Sequence, residues 1–164
     1  MIKQTYPITE QLILNALQLA RQLHQELNQE ADALKKTHQA ELISSIAANK
    51  KQLVVQLEQF NTQIAQVLAT EKLPNTQDSI REYFNRAEAA GLSTAELTGN
   101  WTQLMIVCAE CRNLNEQNGA GIDLLSRHTK RSLEILKGKP AFANTYGSDG
   151  STQSDRHSST LISV

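Results

Sequence analysis

The chain has few of the residues that build turns, aromatic pockets and covalent cross-links. Its 164 residues include seven glycines, three prolines and two cysteines, and aromatic residues make up 4%. With so little glycine and proline, the sequence offers little material for turns, and with so few aromatics an aromatic-lined ligand pocket is disfavoured. Cys108 and Cys111 lie at one spot and form no disulfide framework. Leucine, alanine and glutamine are abundant instead, which is typical of a helical protein.

The chain also lacks an excess of one charge and a long apolar run. Sixteen Lys and Arg oppose seventeen Asp and Glu, for a formal net charge of −1. Nucleic-acid binders and polybasic membrane binders need clustered Lys and Arg, so both classes are disfavoured. The longest apolar run, 104-LMIVCA-109, is far shorter than a bilayer-spanning helix, and residues 1–13 contain no signal-peptide core. We expect a cytoplasmic protein with no nucleic-acid partner and no membrane insertion.

Apolar residues recur at steps of three or four along three long segments, which is the spacing of one face of an α-helix. These stripes cover residues 8–34, 43–67 and 97–136, and a short amphipathic piece lies at 78–90. The first helix is predicted to begin near Pro7. The sequence therefore predicts an all-α fold, an elongated antiparallel bundle of three long helices plus a short connecting helix.

Other signals mark where the helices begin and end. The polar segment 35-KKTHQ-39 is predicted to connect the first two helices, and Pro74 to stop the second. Gly91 is a typical C-terminal cap of the short helix. Ser93 and Glu96 have the spacing of a capping box, which predicts the start of the third long helix.

The composition changes abruptly after the third helix, where Ser, Thr and Gly dominate. Such a segment cannot bury enough apolar surface to offset the entropy of ordering it. We therefore predict a helical-bundle domain over residues 1–138 and a disordered, flexible tail over residues 139–164. The pattern leaves open whether Leu161, Ile162 and Val164, the apolar residues at the end of this tail, bind anything.

No motif predicts a metal, cofactor or phosphate site. Cys108 and Cys111 have CxxC spacing, but both fall on the apolar stripe of a helix and the four histidines are scattered. We interpret these cysteines as small core residues, because a tetrahedral metal site needs four convergent ligands. The fragment 119-GAG-121 lacks the preceding strand and the further glycines of a phosphate-binding loop. No cofactor is expected.

The best enzymatic alternative is a histidine phosphotransfer domain built on a helical bundle. The segment 128-HTKRS-132 offers His128 followed by basic residues. The HxxKG pattern of that family is missing, since Arg131 and Ser132 stand at the Lys and Gly positions. We expect a protein that is not an enzyme.

Polar and small residues interrupt the third stripe in 113-NLNEQNGAGIDLL-125. Asn115 and Asn118 occupy consecutive stripe positions, where buried asparagine fixes helix register and partner choice at a cost in stability. Gly119 and Gly121 follow them, and glycine lets a neighbouring helix or a partner approach closely, with or without a bend.

Lys50 is the polar member of the second stripe. If the second and third long helices pack antiparallel, Lys50 comes level with Asn115. An unpaired buried charge costs several kcal/mol. We therefore predict that the Lys50 ammonium meets the side chains of Asn115 and Asn118 or reaches the rim of the bundle.

The segment 113-NLNEQNGAGI-122, the run 133-LEILKG-138 and the tail segment 145-TYGSDGSTQ-153 together resemble the C-terminal signature of the FlgN family of flagellar export chaperones. Members carry an Asn-x-x-Asn-Gly helix, a last Leu-rich turn and a Tyr-Gly-x-x-Gly tail. The Lys-rich turn 50-KKQLVVQL-57 fits as well. The matching residues are Asn115, Asn118, Gly119, Leu133, Leu136, Tyr146, Gly147 and Gly150.

The resemblance implies a non-enzymatic, cytoplasmic chaperone of flagellar type III secretion. Such chaperones bind the C-terminal segments of the hook-associated proteins FlgK and FlgL, prevent their premature assembly, and deliver them to the export gate protein FlhA. The residues support this independently, because a bundle with three long stripes and few core aromatics can leave an apolar groove open for a partner helix. A tethered tail supplies a second contact that raises the effective concentration at the gate.

Two sites follow from this interpretation. We predict that the third long helix supplies most of the client-binding surface, and that the tail docks on the cytosolic domain of FlhA through Tyr146, with Gly147, Gly150 and Phe142. The alternative from another class is a structural coiled-coil module without a client, which needs no aromatic residue in its tail. The predicted client-binding residues are Leu104, Asn115, Asn118, Gly119, Ile122, Leu125, Leu133 and Leu136.

Overall fold

The structure, a computed structural model, describes residues 1–36, 38–137 and 161–164. Four helices follow one another along the chain: α1 (Ile2–Leu34), α2 (Ala40–Thr70), α3 (Gln77–Ala89) and α4 (Ala95–Leu136). The described ranges contain no strand. The predicted all-α fold, with three long helices and a short connecting helix, is confirmed.

The ends of the helices agree only in part with the sequence signals. The connection between α1 and α2 and the stop before Pro74 lie where they were predicted. However, α1 begins at Ile2, so Pro7 lies inside the helix rather than at its start. Because proline has no N–H, the hydrogen bond that residue 7 would give to the Lys3 carbonyl is absent.

The junction between α3 and α4 shows one correct and one wrong capping prediction. Gly91 has a φ of 82° and follows α3, where its N–H donates to the Glu88 carbonyl at 2.8 Å. This is the left-handed position that favours glycine. The capping box at Ser93 and Glu96 is wrong, because Thr94 is the N-cap residue. The Thr94 hydroxyl donates to Glu88 at 2.6 Å and makes no cap bond to its own helix.

Helix α1 lies at the centre of the bundle and contacts each of the other three helices. It runs parallel to α4, since later residues of α1 contact later residues of α4. The Tyr6 hydroxyl donates to the Ser93 carbonyl, and the Asn118 amide donates to the Leu27 carbonyl. It runs antiparallel to α2, because the Thr5 hydroxyl donates to Glu71 near one end of the bundle. The arrangement is therefore up, down and up, with α3 closing one end.

The core is one continuous cluster along α1, and α3 closes it at the end where the chain begins. Tyr83 of α3 is fully buried, and its hydroxyl lies 3.0 Å from the hydroxyls of Thr5 and Thr9. Phe84 stacks edge-on against both Tyr83 and Trp101. This end holds most of the aromatic residues of the core, so the bundle is closed most tightly there.

Helix α4 is longer than the helix it packs on. It has 42 residues against 33 in α1, which corresponds to about 63 Å against about 50 Å. The α1 and α4 helices are in register from Tyr6 and Ser93 to Leu34 and Gly121. The last part of α4, about four turns, therefore extends past the end of α1.

Candidate functional site

The part of α4 that extends past α1, residues 122–136, is here named distal α4. Its apolar side chains are exposed, and none of them belongs to the core cluster of the described chain. Ile122, Leu125, Leu133 and Leu136 recur at steps of three, eight and three, which places them on one helix face. Leu104 and Cys111, both in the core, lie on the same face further back along the helix. Distal α4 thus continues the core-facing stripe beyond the end of α1, where the exposed fraction of these side chains rises from 37% at Ile122 to 83% at Leu136.

A second group of apolar side chains lies on the other side of distal α4. Leu124 is 58% exposed and Ile135 is 61% exposed, and helical geometry places both roughly opposite the face of Leu133. Leu136, at 83%, is the most exposed of the large apolar residues. Single exposed apolar residues are ordinary, but distal α4 exposes six large ones within fifteen residues.

Two of the predicted client-binding residues lie elsewhere. Leu104 is fully buried in the core, so its assignment to the client surface is wrong: its side chain packs within the bundle. Asn118 is buried as well, and its side-chain amide donates to the Leu27 carbonyl at 2.8 Å and to Glu30 Oε1 at 3.0 Å. Asn118 therefore holds α4 to α1 rather than meeting a client.

The glycines of α4 leave room for a neighbour, but no described helix approaches them more closely than an ordinary contact. The helix is continuous through Gly119 and Gly121. A Cβ atom added at Gly119 would meet nothing within 4 Å, and one at Gly121 would lie 3.5 Å from Leu34 Cδ1, an ordinary contact. Neither glycine is needed for close packing within the bundle. Gly119 remains on the exposed side of α4.

A buried polar cluster separates the closed core from distal α4. Lys50 Nζ lies 2.9 Å from Glu30 Oε1 and 3.4 Å from Asn115 Oδ1. The predicted meeting of Lys50 with Asn115 is confirmed. The Glu30 side chain is fully buried and that of Lys50 is 16% exposed. The cluster ties α1, α2 and α4 together at one level, which fixes their register.

Glu30 is a member of this buried cluster that was not predicted from the sequence. It follows Leu27 by three positions and precedes Leu34 by four, which is the spacing of the first apolar stripe. A charged residue at such a position signals a buried ion pair only when an opposite charge is level with it. That condition depends on the register of α1 and α2, which the stripes alone do not define.

The last described residues form a second feature that the sequence did not indicate. Leu161 and Ile162 are each only 5% exposed and belong to the core cluster. The Asn61 side-chain amide donates to the Ile162 carbonyl at 3.2 Å, and the Ile162 N–H donates to Asn61 Oδ1 at 3.2 Å. At least these four residues of the predicted tail therefore lie on the bundle. The segment Leu161–Val164 is here named the terminal segment.

Val164 lies in a groove that runs over α1 between α2 and α4. The floor of this groove is formed by Leu23 and Leu27, and Asn115 lies on its α4 side. The α2 wall combines apolar side chains with charged residues at the rim. The lining residues from α2 are Ala47, Lys50, Lys51, Val54, Val55 and Glu58.

The two cysteines are confirmed as core residues. Cys108 and Cys111 are free and buried, and Cys111 Sγ donates to the Ala20 carbonyl at 3.5 Å. Burial raises the pKa of Cys108 to about 11 and that of Cys111 to about 12. Both thiols are therefore protonated near neutral pH, and a thiolate is the form that binds metal or attacks.

No group of three or more His, Cys, Asp and Glu side chains that could hold a metal ion is found in the part of the chain that the structure describes. Within that same part, no helix is both long and apolar enough to cross a bilayer. Phe142, Tyr146, Gly147 and Gly150 lie outside the described residues, and so does the side chain of His128.

The described residues define an all-helical bundle protein, with its core along α1 and exposed apolar side chains on distal α4. The comparison with known families is more specific. The family model described as FlgN protein matches residues 5–154. The chain therefore belongs to the FlgN family, a family of flagellar export chaperones. No curated protein and no solved structure matches the chain.

Proposed function

We propose that this chain is a cytoplasmic export chaperone of flagellar type III secretion. It binds the C-terminal segments of the hook-associated proteins FlgK and FlgL, prevents their premature assembly, and delivers them to the export gate protein FlhA. Membership of the FlgN family supports the general role. The observation that supports a client site in particular is the exposed apolar stripe of distal α4.

Distal α4 has the geometry to receive an amphipathic client helix. From Ile122 to Leu136 it is 15 residues long, or about 22 Å, which matches three to four turns of a partner helix. Helix-in-groove recognition uses apolar anchors on one helix face, and this stripe supplies two pairs of them, Ile122 with Leu125 and Leu133 with Leu136. A client helix placed alongside would cover the stripe as α1 covers the part of α4 that precedes residue 122.

The proposed client surface is therefore smaller and further along the chain than the sequence alone suggested. Leu104 and Asn118 are removed from it because both are buried within the bundle. Asn115 stays at its edge, since the residue is exposed and its Oδ1 reaches Lys50. The proposed anchors are Ile122, Leu125, Leu133 and Leu136, with Leu124 and Ile135 as a second contact on the other side of the helix.

Docking on the cytosolic domain of FlhA is assigned to the tail, on Tyr146 with Gly147, Gly150 and Phe142. The Tyr-Gly-x-x-Gly segment shared with the family supports this assignment. A tyrosine ring offers a large contact area with two side-chain torsions to order, and a hydroxyl for one hydrogen bond. Separate surfaces for client and gate would let both partners bind at once.

The client site is tested by titrating labelled C-terminal peptides of FlgK and FlgL into the wild-type protein and into Leu133→Asp. We expect Leu133→Asp to weaken binding at least tenfold, because it places a charge in the apolar stripe. Ala109→Asp is the matched control, since Ala109 is exposed on the same helix and precedes Ile122 by thirteen residues, away from both proposed client contacts. Helicity by far-ultraviolet circular dichroism should be equal in all three proteins. Absence of peptide binding by the wild type would reject the proposed client function.

A further inference from the structure

The terminal segment packs on the bundle through its apolar side chains. Leu161 and Ile162 bury their side chains, whereas Ser163 is exposed. Val164 is partly buried and lines the groove between α2 and α4. The segment thus presents apolar residues to the bundle on both sides of an exposed serine, in a stretch without helical structure.

Asn61 recognises the backbone of this segment rather than its side chains. Its amide accepts a hydrogen bond from the Ile162 N–H and donates one to the Ile162 carbonyl, each at 3.2 Å. A side-chain amide that pairs with both backbone groups of one residue satisfies them as a neighbouring strand would. Such a contact is independent of the identity of residue 162, so another non-helical segment can replace this one.

The groove extends beyond the part that the terminal segment contacts. Val164 lies among Leu23, Leu27 and Val54, while the lining continues along α2 to Ala47 and Lys50 and across to Asn115. Four residues cover far less surface than the ~800 Å² per partner of a stable protein interface. A longer apolar segment would fill both the occupied part and the remainder.

The groove also adjoins the proposed client surface. Asn115 lines the groove and precedes Ile122 by seven residues, which is about two helical turns. A client whose helix lies on distal α4 can therefore continue into the groove without leaving the bundle. This continuity identifies the kind of partner that the groove fits: a non-helical client segment with apolar residues, flanking an amphipathic helix.

We propose that the terminal segment is an intramolecular competitor, which occupies the groove until a client segment displaces it. This inference rests on the proposed client-binding function. The segment covers apolar surface that would otherwise be exposed in the client-free protein, and its attachment to the same chain gives it a high effective concentration. The small area it buries keeps it displaceable. Client affinity is then reduced by the fraction of protein in which the groove is free.

The first experiment examines the groove without any client. A fluorescent peptide with the sequence of residues 155–164, DRHSSTLISV, is titrated into the full-length wild type and into the double variant Leu161→Asp/Ile162→Asp. We expect the double variant to bind the peptide about tenfold more tightly, because its own segment no longer competes. Ser163→Asp adds charge at the exposed position of the same segment and should behave as wild type. Equal affinity of wild type and double variant overturns the proposal.

A further substitution locates the binding site of the peptide. In the double variant, Asn61→Asp removes the donor to the residue-162 carbonyl and places a negative charge beside it. We expect peptide binding to weaken at least fivefold. The matched control is Gln63→Glu, an exposed position on α2 that undergoes the same change from amide to acid. Unchanged binding by Asn61→Asp contradicts docking in this groove.

The last experiment joins the groove to the client. Client peptides of FlgK and FlgL that include the residues flanking the amphipathic helix are titrated into the wild type and the double variant. We expect about tenfold tighter binding by the double variant, and equal client affinities overturn the competition. Client peptides that bind neither protein would instead reject the proposed function, while the DRHSSTLISV titration still tests the groove by itself. Equal thermal unfolding midpoints would show that the variants share the wild-type fold.

Discussion

Lys50 Nζ lies 2.9 Å from Glu30 Oε1, and this ion pair joins α2 to α1 where the closed core ends. The Glu30 carboxylate is fully buried. Asn118 also donates to its Oε1 atom, while its Oε2 atom has no hydrogen-bond partner among the described residues. Among the described residues, Lys50 is the one opposite charge within ion-pair distance of this carboxylate. Removal of either charge leaves the other poorly solvated.

Lys50→Met should therefore destabilise the protein by about 3 to 5 kcal/mol, the usual cost of breaking a buried ion pair on one side. The double variant Lys50→Met/Glu30→Gln should recover most of this loss, because the introduced glutamine is neutral and keeps an acceptor for Asn118. Urea unfolding followed by circular dichroism measures both. The exposed pair Arg86–Glu82 is the control, and Glu82→Ala should cost less than about 1 kcal/mol. A loss for Lys50→Met as small as that of the control would contradict the role of the pair.

The boundary between core and client surface on α4 can be tested by stability alone. Leu104 is fully buried whereas Leu133 is 49% exposed. Leu104→Ala should lower the free energy of unfolding by about 2 to 5 kcal/mol through loss of buried contacts and creation of a cavity. Leu133→Ala should change it by less than about 0.5 kcal/mol, as at other surface positions. Similar losses for the two variants would place Leu133 in the core and remove it from the client surface.

The apolar stripes were sufficient to predict the helices, but not which part of each stripe packs against another helix of the bundle. A stripe continues along α4 from Leu97 to Leu136, and its period does not show that α1 ends at Leu34. Which part is core and which is exposed depends on the relative lengths and register of two helices. For this reason Leu104 and Leu133 looked equivalent in the sequence, although one is buried and the other is not.

Two parts of the candidate site could not be placed from local signals. Glu30 looks like a residue of a solvated helix face until Lys50 is placed level with it, and that placement is tertiary. The terminal segment is too short to show a period, and its binding depends on Asn61, about a hundred residues earlier in the chain. Contacts of this kind arise from the assembled surface of the bundle. The contact of Lys50 with Asn115 could be predicted, because Lys50 is a charged exception in an otherwise apolar stripe.

The pKa values of the cysteines predict an unreactive pair and a loss of stability in alkali. Each thiol has its pKa raised by burial from the ordinary 9.0, to about 11 for Cys108 and about 12 for Cys111. At pH 7 the thiols are protonated in both the folded and the unfolded protein. As the pH rises from 9 toward 11, the unfolded chain releases these protons and the folded protein retains them. The free energy of unfolding must therefore fall over this range.

Two measurements test this prediction. Thiol labelling by a disulfide reagent at about pH 8 should be slow in the native protein and fast in urea, because the native thiols are buried and protonated. The decline of stability above pH 9 should be less steep in Cys108→Ala/Cys111→Ala than in the wild type. Tyr6, whose pKa is raised to about 12 mainly by burial, is present in both proteins and cancels in the comparison. Identical pH profiles would show that the thiols do not contribute.

Tyr146→Ala tests whether the tail docks on the export gate. Tyr146 is one of three tyrosines in the chain, and the residues around it are rich in Gly and Ser. If its ring is an anchor in the complex with the FlhA cytosolic domain, its removal should weaken FlhA binding by about 2 kcal/mol, the scale of an interface hot spot. Calorimetric titration of the FlhA domain with wild type and variant measures the difference.

Thr145→Ala, a truncation at the neighbouring position, is the matched control and should bind as the wild type does. The affinity for FlgK and FlgL peptides and the thermal midpoint should be the same in all three proteins, because the proposed client surface lies on distal α4. Equal FlhA affinity for wild type and Tyr146→Ala would contradict docking through Tyr146. The tail would then serve only as a linker between the bundle and the terminal segment.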